Sequence, residues 1–222
     1  MSILLTGGAG FIGSCVAKKL LQKGCEVVVF DNLSNGSIEN IKEFQNDRNF
    51  SFVMGDIRSK KNLEMIFRKD LSCCIHLAAQ INVQESIDHP NRSFENNVVG
   101  TYNLLEECRK HDVKLVVVGT CMVYDSTISK PINEKHPLKP ASPYAGSKLA
   151  AEKLALSYFS AYNLPVVITR PFNTYGPHQK SNMEGGVVSI FIQRTIEGKQ
   201  LLIFGNGRQT RDLLYVEDCA DF

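Results

Sequence analysis

The stretch Ile3-Leu4-Leu5-Thr6-Gly7-Gly8-Ala9-Gly10-Phe11-Ile12-Gly13 decides the fold: an apolar run breaks into glycines, then resumes with helical spacing as Ser14-Cys15-Val16-Ala17-Lys18-Lys19-Leu20-Leu21. This reads as strand, turn, helix. The spacing is Gly-x-x-Gly-x-x-Gly. Gly7 and Gly10 let the backbone turn tightly and come close to a pyrophosphate, Gly13 lets the helix pack against the strand, and the helix N-terminus receives the anion. A second strand, Glu26-Val27-Val28-Val29-Phe30, ends at Asp31. A carboxylate there accepts hydrogen bonds from both ribose hydroxyls of an adenosine and repels a 2′-phosphate, and Asn32, Leu33 and Ser34 offer no arginine to bind one. The expected ligand is therefore NAD rather than NADP.

Outward from this unit, strand-like apolar runs at 3–5, 26–30, 50–54, 73–77, 115–118 and 166–169 alternate with amphipathic helical stretches at 13–23, 60–67, 94–111 and 143–162. A repeated βα order predicts an α/β fold, a Rossmann-type doubly wound parallel sheet with right-handed crossovers. Ligands of such sheets bind beyond the carboxyl ends of the strands, where Gly7, Asp31, Gly55-Asp56, Ala78-Ala79 and Gly119-Thr120 fall. Residues 126–140 read as a loop. After Arg170 the pattern changes to a polar segment, a helical stretch at 186–197, a short strand at 201–204 and a polar run at 205–212. The expected organisation is a dinucleotide-binding domain over 1–170 and the beginning of a smaller, incomplete C-terminal substrate lobe over 171–222. Residues 216–222 look like a helix opening, so the sequence reads as truncated.

The 222 residues are 43% hydrophobic, enough for a well-buried core, and 25 basic against 23 acidic residues leave a formal charge of +2. No run of one charge suggests nucleic-acid or membrane-surface binding, and no apolar run approaches transmembrane length. Seven cysteines without Cys-x-x-Cys spacing point to a reduced, cytoplasmic setting and to no metal site. Met1 runs within one residue into the first strand, which leaves no room for a signal peptide.

In Ser142-Pro143-Tyr144-Ala145-Gly146-Ser147-Lys148, Tyr144 and Lys148 stand four residues apart, on one face of a helix that Ser142 caps and Pro143 opens. A phenol loses its proton near pH 10 in water, so it acts as a base near neutrality only beside a positive charge, which Lys148 supplies. His76, closing an apolar strand, reads as a hydrogen-bonded strand-end histidine. The charges over 60–68 read as the solvated face of a helix.

Taken together, these motifs resemble the extended short-chain dehydrogenase/reductases, specifically the NAD-dependent nucleotide-sugar epimerases and dehydratases. The resemblance also rests on His76-Leu77-Ala78-Ala79, Asn96-Asn97-Val98-Val99-Gly100-Thr101, Arg170-Pro171-Phe172-Asn173 and Gln209-Thr210-Arg211-Asp212. It implies that tightly held NAD takes a hydride from a sugar carbon, commonly C4, of a nucleotide-diphosphate sugar and returns it in the same turnover. It further implies that Tyr144 removes the hydroxyl proton, Lys148 lowers the phenol pKa and holds the nicotinamide ribose, and Thr120 bonds the same substrate oxygen. Gly7, Gly10, Phe11, Ile12, Gly13, Asp31 and Asn32 belong to the cofactor site. Asp56 and Ile57 flank the adenine, and Leu77, Ala78 and Ala79 line the channel beside the cofactor. Asn173 and Arg211 match family positions that contact the substrate diphosphate. Family members commonly form homodimers through two helices per subunit, here 94–111 and 143–162.

One segment departs from the pattern. Family 4,6-dehydratases carry Thr-Asp-Glu before Val-Tyr, whereas this chain has Thr120-Cys121-Met122 before Val123-Tyr124. The missing carboxylates favour epimerisation, yet Asn173-Thr174-Tyr175-Gly176-Pro177-His178-Gln179 is closer to the dehydratases, and both outcomes stay open. Cys121 is either a small filler or an acid/base for an unusual elimination such as a 5,6-dehydration. Asp125 either faces the sugar or caps a turn. The competing reading of the whole chain is a truncated, non-catalytic NAD-binding or interaction protein.

Overall fold

The computed structural model describes residues 1–67, 70–128, 131–182 and 186–222. Six strands form one parallel sheet: β1 (Ser2–Thr6), β2 (Glu26–Asp31), β3 (Phe50–Met54), β4 (Cys73–His76), β5 (Lys114–Val118) and β6 (Val166–Thr169). Their order is β3-β2-β1-β4-β5-β6, so the topology reverses between β1 and β4, where a doubly wound sheet opens its ligand crevice. The helices between the strands are α1 (Phe11–Gln22), α2 (Lys60–Ile66), α3 (Val83–Asp88), α4 (Pro90–Ser93), α5 (Gly100–His111) and α6 (Pro143–Tyr162).

Strand residues alternate between two apolar layers, as the period of two requires. Leu4, Val28 and Phe30 face one layer, with Leu63, Leu104, Leu105 and Ala155, while Leu5, Val27 and Val29 face the other, with Ala17, Ile41 and Phe44. Burial on both faces explains why the strands read as continuous apolar runs rather than alternating ones. Asp112 and Asn163 end α5 and α6 in the left-handed conformation, which their short polar side chains tolerate.

The six predicted strands are present to within a residue at each end. The helix expected over 94–111 instead begins at Pro90: α4 runs into a π-helical segment, Phe94–Val99, and then into α5. A single-turn widening of this kind moves side chains off the regular helical face. The 3₁₀ helix Ile38–Phe44 and helix α3 were not legible in the apolar spacing, both being short. Of the 60–68 stretch, Arg68 lies outside the described residues, as do Ser129 and Lys130 of the 126–140 loop.

Past Arg170, β7 (Asn173–Tyr175), α7 (Val187–Ile196), β8 (Leu213–Tyr215) and α8 (Val216–Asp221) follow. The strand expected over 201–204 does not form. Leu201, Leu202, Ile203 and Phe204 are exposed, Phe204 at 81%, and no neighbouring strand pairs them among the described residues. Apolar character alone does not make a strand without a partner edge. The second sheet pairs β7 with β8 in parallel. Helix α8 lies against α1, where Lys19 Nζ meets Asp221 Oδ2 at 2.8 Å.

Candidate active site

A groove runs along the carboxyl edge of the sheet in two adjoining parts, of about 610 and 160 Å³. The smaller part is lined by Gly7, Gly10, Gly13, Asp31, Asn32, Ile57 and Ala78; the larger by Val118, Thr120, Tyr144, Lys148 and residues 178–180; Phe11, Ile12, Leu77 and Ala79 line both. Gly7 has φ +73°, and a Cβ there would stand 2.6 Å from the backbone nitrogen of Ala78. A Cβ on Gly13 would collide with the Gly7 carbonyl. Only glycine lets β1, α1 and the start of the 77–79 segment come this close. Gly10 caps α1 without a side-chain hydrogen bond, so no side chain of its own covers the positive helix end at the groove.

Asp31 is buried, and its carboxylate accepts N–H bonds from Ala9 at 3.0 Å and Leu33 at 2.8 Å. Burial pushes its pKa up and the two backbone donors oppose that. The acid thus anchors the glycine loop to the end of β2, and its remaining lone pairs stay available. Asp56 lines neither part of the groove. Arg58 holds its carboxyl low, at about 2, with Asn32 donating to the same group at 3.1 Å.

Ser142 accepts from the Ala145 N–H at 3.1 Å and Pro143 opens α6, as the sequence predicts. Two further anchors were not read from the sequence. Ser86 Oγ accepts the Tyr144 N–H at 3.1 Å, and Asn97, in the π-helical segment, donates to Ser147 Oγ at 2.9 Å. Neither residue type carries a spacing signal across that much chain. The Thr120 side chain lies beside the Tyr144 phenol in the larger part of the groove. Lys148 is buried and donates to the Val118 carbonyl at 2.6 Å. Burial lowers its pKa to about 8, opposed by Glu152. Burial raises the phenol pKa, and the neighbouring Thr120 hydroxyl opposes it. The lysine that the sequence assigns to lowering the phenol pKa is therefore turned toward a backbone carbonyl in this conformation.

His76 is buried between Thr6 Oγ1 at 2.7 Å and Thr101 Oγ1 at 2.9 Å. The Thr101 hydroxyl donates to the Asn97 carbonyl, so His76 Nε2 carries the proton and Nδ1 accepts from Thr6. Burial and the nearby Lys148 hold its pKa at about 3, and the ring is a neutral structural link. The Asp125 carboxylate caps its own turn, accepting from Thr127 N at 2.9 Å and Thr127 Oγ1 at 2.6 Å. Cys121 does not line the groove, and burial pushes its thiol pKa up. Asn173 and Arg211 also lie outside the groove lining: Asn173 donates to the Asp212 carbonyl at 3.1 Å and Arg211 to the Thr210 carbonyl at 2.7 Å.

Comparison with known proteins agrees with this architecture. The crystal structure of Pal from Bacillus thuringiensis is 56% identical, with a TM-score of 0.96 over 100% of this chain and 72% of that one. The dTDP-glucose 4,6-dehydratase of Bacillus anthracis, solved in complex with NAD, is 36% identical, with a TM-score of 0.90 over 100% of this chain and 69% of that one. The UDP-glucose 4-epimerase of Mycolicibacterium smegmatis is 40% identical over 223 residues, covering 100% of this chain and 71% of the relative. The family model described as NAD dependent epimerase/dehydratase matches residues 3–222, and the chain belongs to that family.

Proposed function

We propose that the protein is an NAD-dependent enzyme that oxidises the sugar of a nucleotide-diphosphate sugar, at C4, and then epimerises it or eliminates water. The observation that carries this reading is one groove lined by the glycine loop and Asp31 at one end and by Thr120, Tyr144 and Lys148 at the other. The residues fit the cofactor, since the cradle at Gly7 and Gly13 is closed to any side chain and a helix N-terminus opens into it. When bound, NAD supplies the hydride acceptor and returns the hydride within one turnover. Gly7, Gly10, Phe11, Ile12 and Gly13 would cradle the pyrophosphate and Asp31 the adenosine ribose. Asn32 and Ile57 would stand by the adenine, with Asp56 behind them on the Asn32 amide and Leu77, Ala78 and Ala79 along the channel.

Tyr144 takes the proton of the sugar hydroxyl while Thr120 hydrogen-bonds the same oxygen and holds it in line. Lys148, once it leaves the Val118 carbonyl for the ligand, favours the phenolate by its charge. Asn173 and Arg211 reach the diphosphate only by turning from their present backbone partners toward the groove. Cys121 and Met122 offer no carboxylate at the turn after Thr120, which supports epimerisation; an elimination through Cys121 would need its thiol to turn into the groove.

Residues 1–170 serve as the NAD-binding unit, and residues 171–222 belong to the sugar-nucleotide lobe. No described helix is long and apolar enough to cross a membrane, and the seven cysteines are free thiols, which supports a cytoplasmic setting. Phe94, Tyr102, Phe159 and Tyr162 are exposed on the 90–111 and α6 helices, which supports a homodimer through these faces. The test is incubation with a panel of UDP-, dTDP- and GDP-sugars, products read by mass and stereochemistry. Loss of water identifies a dehydratase, unchanged mass with inversion an epimerase, and no turnover of any member overturns the reading.

A further inference from the structure

Glu152 lies one helical turn beyond Lys148 on α6 and is 1% exposed. Arg170 grips its carboxylate from two nitrogens, with Nε at 3.0 Å and Nη2 at 2.7 Å from Oε2. The remaining guanidinium nitrogen donates to the Tyr124 hydroxyl at 3.0 Å. Tyr124 closes the short 3₁₀ turn Cys121–Val123 that follows Thr120. The pair therefore joins the helix that carries Tyr144 and Lys148 to the turn that carries Thr120. Gly119 is part of the same construction, because a Cβ there would collide with Glu152 Oε1. A buried ion pair contributes little to stability beyond what well-packed apolar residues supply, so its presence here calls for another role.

We propose that Glu152 and Arg170 are positioning residues, which set Thr120 against Tyr144 through Tyr124 and keep Lys148 charged. This rests on Tyr144 and Lys148 acting as the proton-transfer pair. Lys148 is faced by Glu152 on its own helix, by the Val118 carbonyl of β5 and by the neutral His76 of β4, and it shares the groove lining with Tyr144. Of these, Glu152 is the group that opposes the loss of the lysine proton. Arg170 pairs with the same carboxylate through Nε and Nη2.

The test compares Glu152→Gln, the double variant Glu152→Gln/Arg170→Met and Tyr124→Phe with the unaltered holoprotein. The double variant removes both members of the pair, so neither Glu152 nor Arg170 is left buried without the other. Lys148 is titrated by ¹³C-lysine NMR, its signal assigned with Lys148→Arg, alongside NAD content, thermal midpoint, kcat and KM. In the double variant Lys148 titrates about one pH unit lower, and the alkaline limb of kcat falls by the same amount, about tenfold in rate on that limb. NAD content and KM stay within about threefold, and Tyr124→Phe lowers kcat about three- to tenfold, with Lys148 unmoved. A purely structural pair predicts that the double variant keeps both the lysine titration and kcat, and that result overturns the proposal, as does an unaltered kcat in Tyr124→Phe. Full turnover by Tyr144→Phe would instead overturn the proton-transfer reading, and the NMR titration still reports on the pair.

Discussion

The backbone N–H of Tyr144 donates to Ser86 Oγ at 3.1 Å, and Ser86 in turn donates to the Val83 carbonyl at 2.6 Å. The first turn of α6 leaves its N–H groups without helical partners. Ser142 satisfies one from within the helix and Ser86 satisfies another from α3. A side chain from elsewhere in the fold thus fixes where the tyrosine begins its helix.

Ser86→Ala removes that acceptor and leaves a buried N–H unpaired, at a cost of about 1–3 kcal/mol. For a chain of this size that is a fall of several degrees in thermal midpoint, about 2–4 °C per kcal/mol. Calorimetry checks the shift. A midpoint unchanged within a degree would show that water replaces the hydroxyl.

Tyr144→Phe keeps the fold and the cofactor groove but removes the proton acceptor. Turnover should drop by about 10²–10⁴-fold, while NAD binding, read by fluorescence or calorimetry, stays within about threefold because the ring still fills its place. Comparable loss in both measurements would assign Tyr144 to binding rather than proton transfer.

Two glycines should respond in opposite directions. Gly13→Ala drives a methyl into the Gly7 carbonyl and should cost NAD binding and at least about 1–3 kcal/mol of stability, as overpacking does. Gly146, inside α6, has nothing within 4 Å of a built Cβ, so Gly146→Ala should stabilise by about 0.5–1 kcal/mol through helix propensity. Denaturant midpoints measured side by side decide both.

His76 makes stability depend on pH. Its pKa falls from the ordinary imidazole value of 6.5 to about 3 on folding, so between these values the unfolded chain binds the extra proton. Its contribution is complete above pH 6.5 and is lost as pH falls toward 3, with a slope of at most about 1.4 kcal/mol per unit. His76→Gln should flatten the decline between pH 6.5 and 5, above the range where Asp56, held at about 2, protonates. Urea unfolding at several pH values reads the slope; an unchanged slope would mean that His76 is charged in the fold.

Local order carried most of the fold. The glycine turn and the cap at Ser142 act within a few residues, and Asp31 closes an apolar strand run, so order and spacing reveal them. The second sheet did not show itself because β7 and β8 are three residues each and depend on each other across the intervening chain. The apolar 201–204 run looked more like a strand than either, and found no edge to pair with among the described residues.

The sequence by itself determined the doubly wound sheet, the carboxyl edge where its ligands bind and the shared helix face of Tyr144 and Lys148, because periodicity and turn chemistry are written residue by residue; Thr120 joined them only through the family resemblance. Only the tertiary structure decided how those three groups are held: Ser86 at the start of the tyrosine helix, Asn97 on Ser147, and Glu152 with Arg170 behind Lys148. These contacts join distant segments through single polar side chains, and a hydrogen bond across the fold leaves no period in the chain that makes it.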